Sequence, residues 1–266
     1  MTLHSLIALT ARERALAGAV LALLLLAALL PGVAQFANYH AFADQRTLLG
    51  IPRALDVLTN LPFALVGFVG LWRLRASQRA DSPQRWPQAS RRLAALFFVG
   101  LIATAWGSAY YHWAPDDAGL VIDRACMTLS FAGLLGLAAS ERVSGRAGGT
   151  LAVVALIGGA LSLVVWAHTG NLTPWSVFQG GGMLLVLGLL AVKPVGAPLH
   201  MQWLAVVLIY ALAKVAEGLD APLFELSGVL SGHSLKHLVA SLAAWPLIRA
   251  LGPRPLAERQ PLAESL

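Results

Sequence analysis

The sequence predicts an all-α, polytopic membrane helix bundle, and three observations carry that prediction. Of 266 residues, 58% are hydrophobic and 12% charged, with a mean hydropathy of +0.70, whereas soluble domains hold roughly 45–50% apolar and about 25% charged residues. Apolar stretches recur near 15–35, 54–74, 93–112, 119–140, 149–168, 176–192, 200–217 and 233–251, each close to the ~20 helical residues that cross a ~30 Å hydrocarbon core. Basic residues collect on one side of these stretches. The low charge excludes an ordinary cytosolic enzyme and a disordered or nucleic-acid-binding chain. The single cysteine, Cys126, can form neither an intrachain disulfide nor a thiolate metal site.

The first stretch follows Arg12 and Arg14. It reads as a membrane helix, or alternatively as a cleaved signal peptide whose apolar core is 21–30 and whose small residues are Gly32, Val33 and Ala34. Either reading sends the following loop to the same side. With the N-terminus inside, the cytoplasmic segments hold 14 basic residues, Arg12, Arg14, Arg73, Arg75, Arg79, Arg85, Arg91, Arg92, Arg142, Arg146, Lys193, Arg249, Arg254 and Arg259. The opposite loops hold 2, Arg46 and Arg53. A one-sided bias across short loops sets orientation, so both termini are expected in the cytoplasm. The net charge of +6 is thereby read as topology, and no nucleic-acid partner is implied. Gly67 with Gly70, and Gly180 to Gly182, are expected to let helices pack closely rather than to bind phosphate, since no strand precedes them.

Ionisable groups at membrane depth are costly and mark candidate sites. The third stretch ends with Ser108 and His112, i and i+4 on one helix face. The short turn over 113–118 forces an antiparallel hairpin, which sets Asp123 of the fourth stretch at the depth of His112. The last stretch opens with His233 and His237, again i and i+4. Under the charge-derived orientation all these ends fall in one leaflet, the one facing away from the cytoplasm. Three imidazoles with a fourth position open to water form a recurring catalytic zinc arrangement. Asp123 is the carboxylate available as general base, and Ser108 can hydrogen-bond the water or a developing oxyanion.

The series Ser108, His112, Asp123, His233 and His237, over roughly residues 40–250, resembles the alkaline ceramidase family, part of a superfamily of seven-helix zinc membrane hydrolases that includes the progestin and adiponectin receptors. The run 56–63, Asp-Val-Leu-Thr-Asn-Leu-Pro-Phe, is similar to the start of that family's first core helix. The resemblance implies a seven-helix core over 36–251, preceded by a cytoplasmic tail and one added helix over 1–35 (eight spans in all) and followed by a cytoplasmic tail over 252–266. It implies Zn2+ on His112, His233 and His237, with Asp123 as general base and Ser108 beside the scissile carbonyl. The implied reaction is hydrolysis of the N-acyl amide of ceramide-like lipids, drawn from the bilayer, to a fatty acid and a sphingoid-type amine. Animal members also carry an acid-rich calcium site. Here the stretch 39–56 offers only Asp44 and Asp56, with Arg53 among them, so calcium, which takes six to eight oxygen ligands, is not supported.

Two other readings stay open from sequence. One is a lipid-sensing receptor or structural membrane protein whose zinc only staples helices, although such sites normally close with four protein ligands. The other is a transporter built on Lys214, Glu217 and Asp220, for which the i, i+3 spacing of Lys214 and Glu217 favours a plain ion pair. Arg124 and Lys236 are expected to snorkel to the interface, and the tryptophans to anchor or pack. His4, His40, His168 and His200 have no patterned partner.

Overall fold

Helices supply all the extended regular structure among the described residues, 8–77, 86–196 and 199–252 of a computed structural model; β pairing there is confined to the bridges Ala34–Asn171 and Leu48–Ile51. The expectations that rest on His4, Arg79, Arg85, Arg254, Arg259 and the C-terminal tail beyond 252 lie outside the described residues.

Helix α1 (Ala11–Leu29) starts at a capping box in which the Thr10 hydroxyl accepts from the Glu13 N–H and the Glu13 carboxylate accepts from the Thr10 N–H. It ends earlier than the expected 15–35 stretch. Leu30 stands before Pro31 and is extended, with ψ of 148°, because the proline ring disfavours helical backbone in the residue ahead of it. The base of α1 is tied to the bundle by Arg12, which donates to the carbonyls of Arg142 and Lys193, and by Glu13, which accepts from Ser144 and Arg146.

Helices α2 (Ala54–Leu58) and α3 (Leu61–Ala76) follow in one line, then α4 (Gln88–Trp113), α5 (Asp117–Arg142) and α6 (Gly145–Thr169). Asp116 caps α5 by accepting from the Gly119 N–H, and α6 closes on Gly170, whose φ of +71° suits glycine. Among the described residues, four helical runs are long and apolar enough to cross a membrane: Ala54–Ala76, Gln88–Trp113, Asp117–Arg142 and Gly145–Thr169. Beyond them the chain is divided into shorter helices: α7 (Thr173–Ser176), a π turn (Val177–Gly181), α8 (Gly182–Leu189), α9 (Trp203–Gly218), α10 (Asp220–Ser227) and α11 (Gly232–Ser241). A 3-10 turn (Leu242–Ala244) then leads to α12 (Trp245–Ala250), with Pro246 in its first turn. Helix α10 is an element the hydropathy pattern does not signal.

The largest helix interface joins α4 and α5. A Cβ on Gly100 would stand 2.3 Å from the Ser130 nitrogen, and one on Gly133 would stand 2.3 Å from the Phe97 nitrogen. Small residues thus let these two backbones touch, which fixes the hairpin carrying His112 and Asp123. Phe97, Phe98, Leu101, Phe131 and Leu135 fill the core beside them. The outward faces carry large exposed side chains, among them Leu65, Phe68 and Trp72 on α3, Leu161 on α6, and Leu208 and Leu212 on α9. Exposed apolar surface on this scale needs a covering phase, and with the four long helices it marks a membrane protein.

Candidate metal centre

His112 sits in the last turn of α4, and His233 and His237 lie one turn apart on α11. The structure brings the three together, all buried, with ring centroids separated by 4.7, 4.9 and 5.0 Å. One candidate ligand nitrogen from each ring lies within 4.8 Å of the others. The Nε2 atoms of His112 and His233 are 3.2 Å apart. Two nitrogens bound tetrahedrally at 2.0–2.1 Å from one metal stand about 3.3 Å apart, so this spacing fits a shared ion.

The surrounding bonds set the tautomer of His237. The Thr59 hydroxyl donates to the Leu55 carbonyl at 2.6 Å, so it accepts from His237 Nδ1 at 3.0 Å. The proton therefore sits on Nδ1, and Nε2 keeps a lone pair. That Nε2 is buried without a hydrogen-bond partner. A buried acceptor lacking any donor is costly, and a metal cation removes the cost. Orienting a ligating histidine through its second nitrogen is the usual support for such a site. The residues present fit a metal ion.

Neighbouring elements hold the ligands in place. Arg53 donates from Nε to the His112 carbonyl at 2.8 Å and from Nη2 to the Trp113 carbonyl at 2.7 Å, closing the end of α4. Ser231 caps α11 by accepting from the Ser234 N–H, and both hydroxyls donate to Asp56 Oδ1, at 3.2 and 2.6 Å. Asp220, on α10, accepts from the His233 N–H at 2.8 Å and the Ala43 N–H at 2.9 Å. Gly232 permits the approach of α11 to α9, since a Cβ there would stand 2.2 Å from the Ala216 carbonyl oxygen. Phe42 covers the cluster, its ring 4.7 Å from His112 and 4.5 Å from His233.

Ser108, Asp123 and His237 line one cavity of about 90 Å³. Ser108 lies beside the Asp123 carboxylate, whose Oδ1 is buried without a hydrogen-bond partner. A second cavity of about 100 Å³, lined by apolar side chains such as Leu101, Phe131 and Met183, shares Phe63, Thr104, Met127, Tyr210 and Ala240 with the first. A polar chamber at His237 thus adjoins an apolar one in the bundle.

Several sequence expectations change. Neither Arg124 nor Lys236 snorkels. Arg124 is 4% exposed, and Lys236 donates to Glu217 at 2.6 Å. The expected Lys214–Glu217 pair forms, so Glu217 bridges two lysines, while Asp220 is engaged by backbone N–H groups. Both carboxylates considered for calcium are committed to protein donors. Asp56 takes the two serine hydroxyls, and Asp44 takes the Arg46 guanidinium at 2.8 and 2.7 Å. That guanidinium holds the Asp44 carboxyl below its ordinary pKa. His40 lies outside the cluster and bonds Tyr111 and Asp117. The sequence does not disclose the parts that Thr59, Asp220 and Phe42 play at the site: Thr59 stands out there only within the run 56–63, Asp220 only with Lys214 and Glu217, and Phe42 carries no signal. The chain matches no family model, and neither curated proteins nor solved structures give a match.

Proposed function

We propose that this chain is a zinc-dependent membrane amidase that hydrolyses the N-acyl amide bond of ceramide-like lipids, releasing a fatty acid and a sphingoid-type amine. The observation that carries the proposal is a cluster of three metal-competent histidines, one of which, His237, lines a polar cavity with Asp123 and Ser108 that adjoins an apolar one. A lipid with a polar head and a long chain has that shape. The resemblance of the same five residues to the alkaline ceramidases supports the reaction class. In this reading the chain crosses its membrane (the inner membrane if the source is prokaryotic) eight times, with both termini cytoplasmic and the histidines in the opposite leaflet. The seven-helix core follows an added first helix, and α7 to α12 supply the shorter, broken spans.

His112, His233 and His237 would hold the ion, which when bound supplies Lewis acidity towards a carbonyl and a water. The residues of the chain do the rest. Asp123 accepts the proton of the attacking water and delivers it to the leaving amine nitrogen. Ser108 donates to the carbonyl oxygen as charge develops on it. Thr59 keeps the His237 proton on Nδ1, so that Nε2 stays free to ligate. Phe42 and the buried aromatic faces around it exclude bulk water.

Incubating the purified chain with a panel of N-acyl amides, with and without a chelator, tests this directly. Chelator-sensitive release of fatty acid is the expected result. A metal-loaded protein that cleaves none of the panel overturns it in favour of a receptor or a structural zinc.

A further inference from the structure

One buried charge in the cavity is not explained by amide hydrolysis. Arg124 lines the same chamber as Asp123, Ser108 and His237, and the residue is 4% exposed. Its guanidinium is framed by aromatic rings, 4.5 Å from the centroid of Trp166 and 5.5 Å from those of Tyr39 and Trp175. Nη2 donates to the neutral Gln35 amide oxygen at 2.8 Å, and Nη1 is buried with no partner. Among the described residues no carboxylate forms a salt bridge with it. The other cations of the chamber, Lys214 and Lys236, are both taken by Glu217. Asp123 precedes Arg124 on α5, but successive helical residues point about 100° apart, and the two make no direct pair.

Burying a charge without an anion is expensive, and aromatic faces offset only part of the cost. A guanidinium is also a preformed fork for a planar or tetrahedral oxyanion. Such an arrangement makes sense if the missing anion arrives with the ligand.

We propose that Arg124, in its cage of Tyr39, Trp166 and Trp175, is a subsite for an oxyanion on the amine half of the bound N-acyl lipid. The substrate class is then an N-acyl lipid whose polar half carries a carboxylate or sulfonate rather than only hydroxyls. The word substrate rests on the amidase reading; the binding subsite does not. Its position beside Asp123 places the charge on the leaving-amine side, with the acyl chain directed into the apolar chamber.

The test uses the full chain in detergent with three lipids of one acyl length: N-palmitoylglycine, N-palmitoyltaurine and the neutral N-palmitoylethanolamine. Affinity and product release are recorded for each, with palmitate as a competitor. The two anionic lipids are expected to bind about tenfold or more tighter than the neutral one, the scale of a charge-assisted bidentate contact. Arg124→Gln should abolish that preference while leaving the neutral lipid within about twofold of wild type, and Arg124→Lys should keep part of it. Equal affinities in the wild-type chain, or a preference that survives Arg124→Gln, would overturn the subsite. Palmitate competing as tightly as N-palmitoylglycine would overturn its assignment to the amine half. The wild-type comparison decides the matter if the variants do not fold. Preferential binding of the anionic lipids without any cleavage would leave the subsite standing and remove the amidase reading.

Discussion

The two polar corners of the bundle are complementary in what they lack. At the histidine corner, His237 Nε2 keeps a buried lone pair with no hydrogen-bond partner, and the Nε2 atoms of His112 and His233 stand 3.2 Å apart. At the arginine corner, a buried cation stands among three aromatic rings with no anion beside it. Several other charges are paired within the chain, as where Glu217 takes two lysines and Asp44 takes Arg46. On the proposed reading, the first corner takes a metal ion and the second takes an anionic group of the ligand.

The largest effect should come from the residue between the corners. Asp123→Asn is expected to lower turnover of an N-acyl amide by about 10²–10⁴-fold, the usual contribution of a positioned acid–base group. Metal content should be unchanged, because Asp123 is not among the three clustered ligands. Metal-loaded Asp123→Asn protein with wild-type turnover would remove Asp123 from the chemistry.

Thr59→Val sharpens the contrast by touching the histidine corner alone. It deletes the acceptor of the His237 Nδ1 proton while keeping the shape of the side chain. Metal affinity is expected to weaken by about 10–100-fold, as for other outer-sphere partners of ligating histidines, with the melting temperature of the metal-free protein nearly unaltered. The preference for anionic lipids should persist. Unchanged metal affinity would show that the Nδ1 contact does not orient the ring.

The histidine set, with Ser108 and Asp123, was legible in the sequence because so few ionisable residues fall in the apolar stretches. Helical spacing of i and i+4 then placed His233 with His237, and a short turn placed Asp123 near His112. What was not legible depended on contacts between elements distant in sequence. Thr59 meets His237 across 178 positions, and no local pattern announces such a bond. Arg124 and Lys236 were misjudged because snorkelling is the default for long cations near helix ends, and only the tertiary arrangement shows that Trp166, Trp175 and Glu217 draw them inward. The early end of α1 was readable in principle, since Pro31 stands inside the stretch assigned to it. The division into four long helical runs and several shorter ones was not, because hydropathy averages over the breaks at Gly218, Gly228 and Pro246.

The smallest effect concerns the charges already paired. The Arg46 guanidinium lowers the Asp44 pKa, so the pair stabilises the fold fully above the unfolded carboxyl pKa of about 3.9. That stabilisation is lost as pH falls through the lower, folded value. The melting-temperature difference between wild type and Arg46→Gln should therefore be widest near neutrality and shrink in acid, below about pH 4. A difference that grows on acidification would mean that the pair is not what Arg46 contributes.

The account turns on the histidine corner, and metal content per chain tests it most directly. Protein purified without added chelator and analysed by elemental mass spectrometry is expected to hold close to one zinc per chain. His237→Ala should lose most of it, since two histidines cannot complete the three-nitrogen set. A wild-type protein with no transition metal, or a His237→Ala variant that keeps its full complement, would contradict the account.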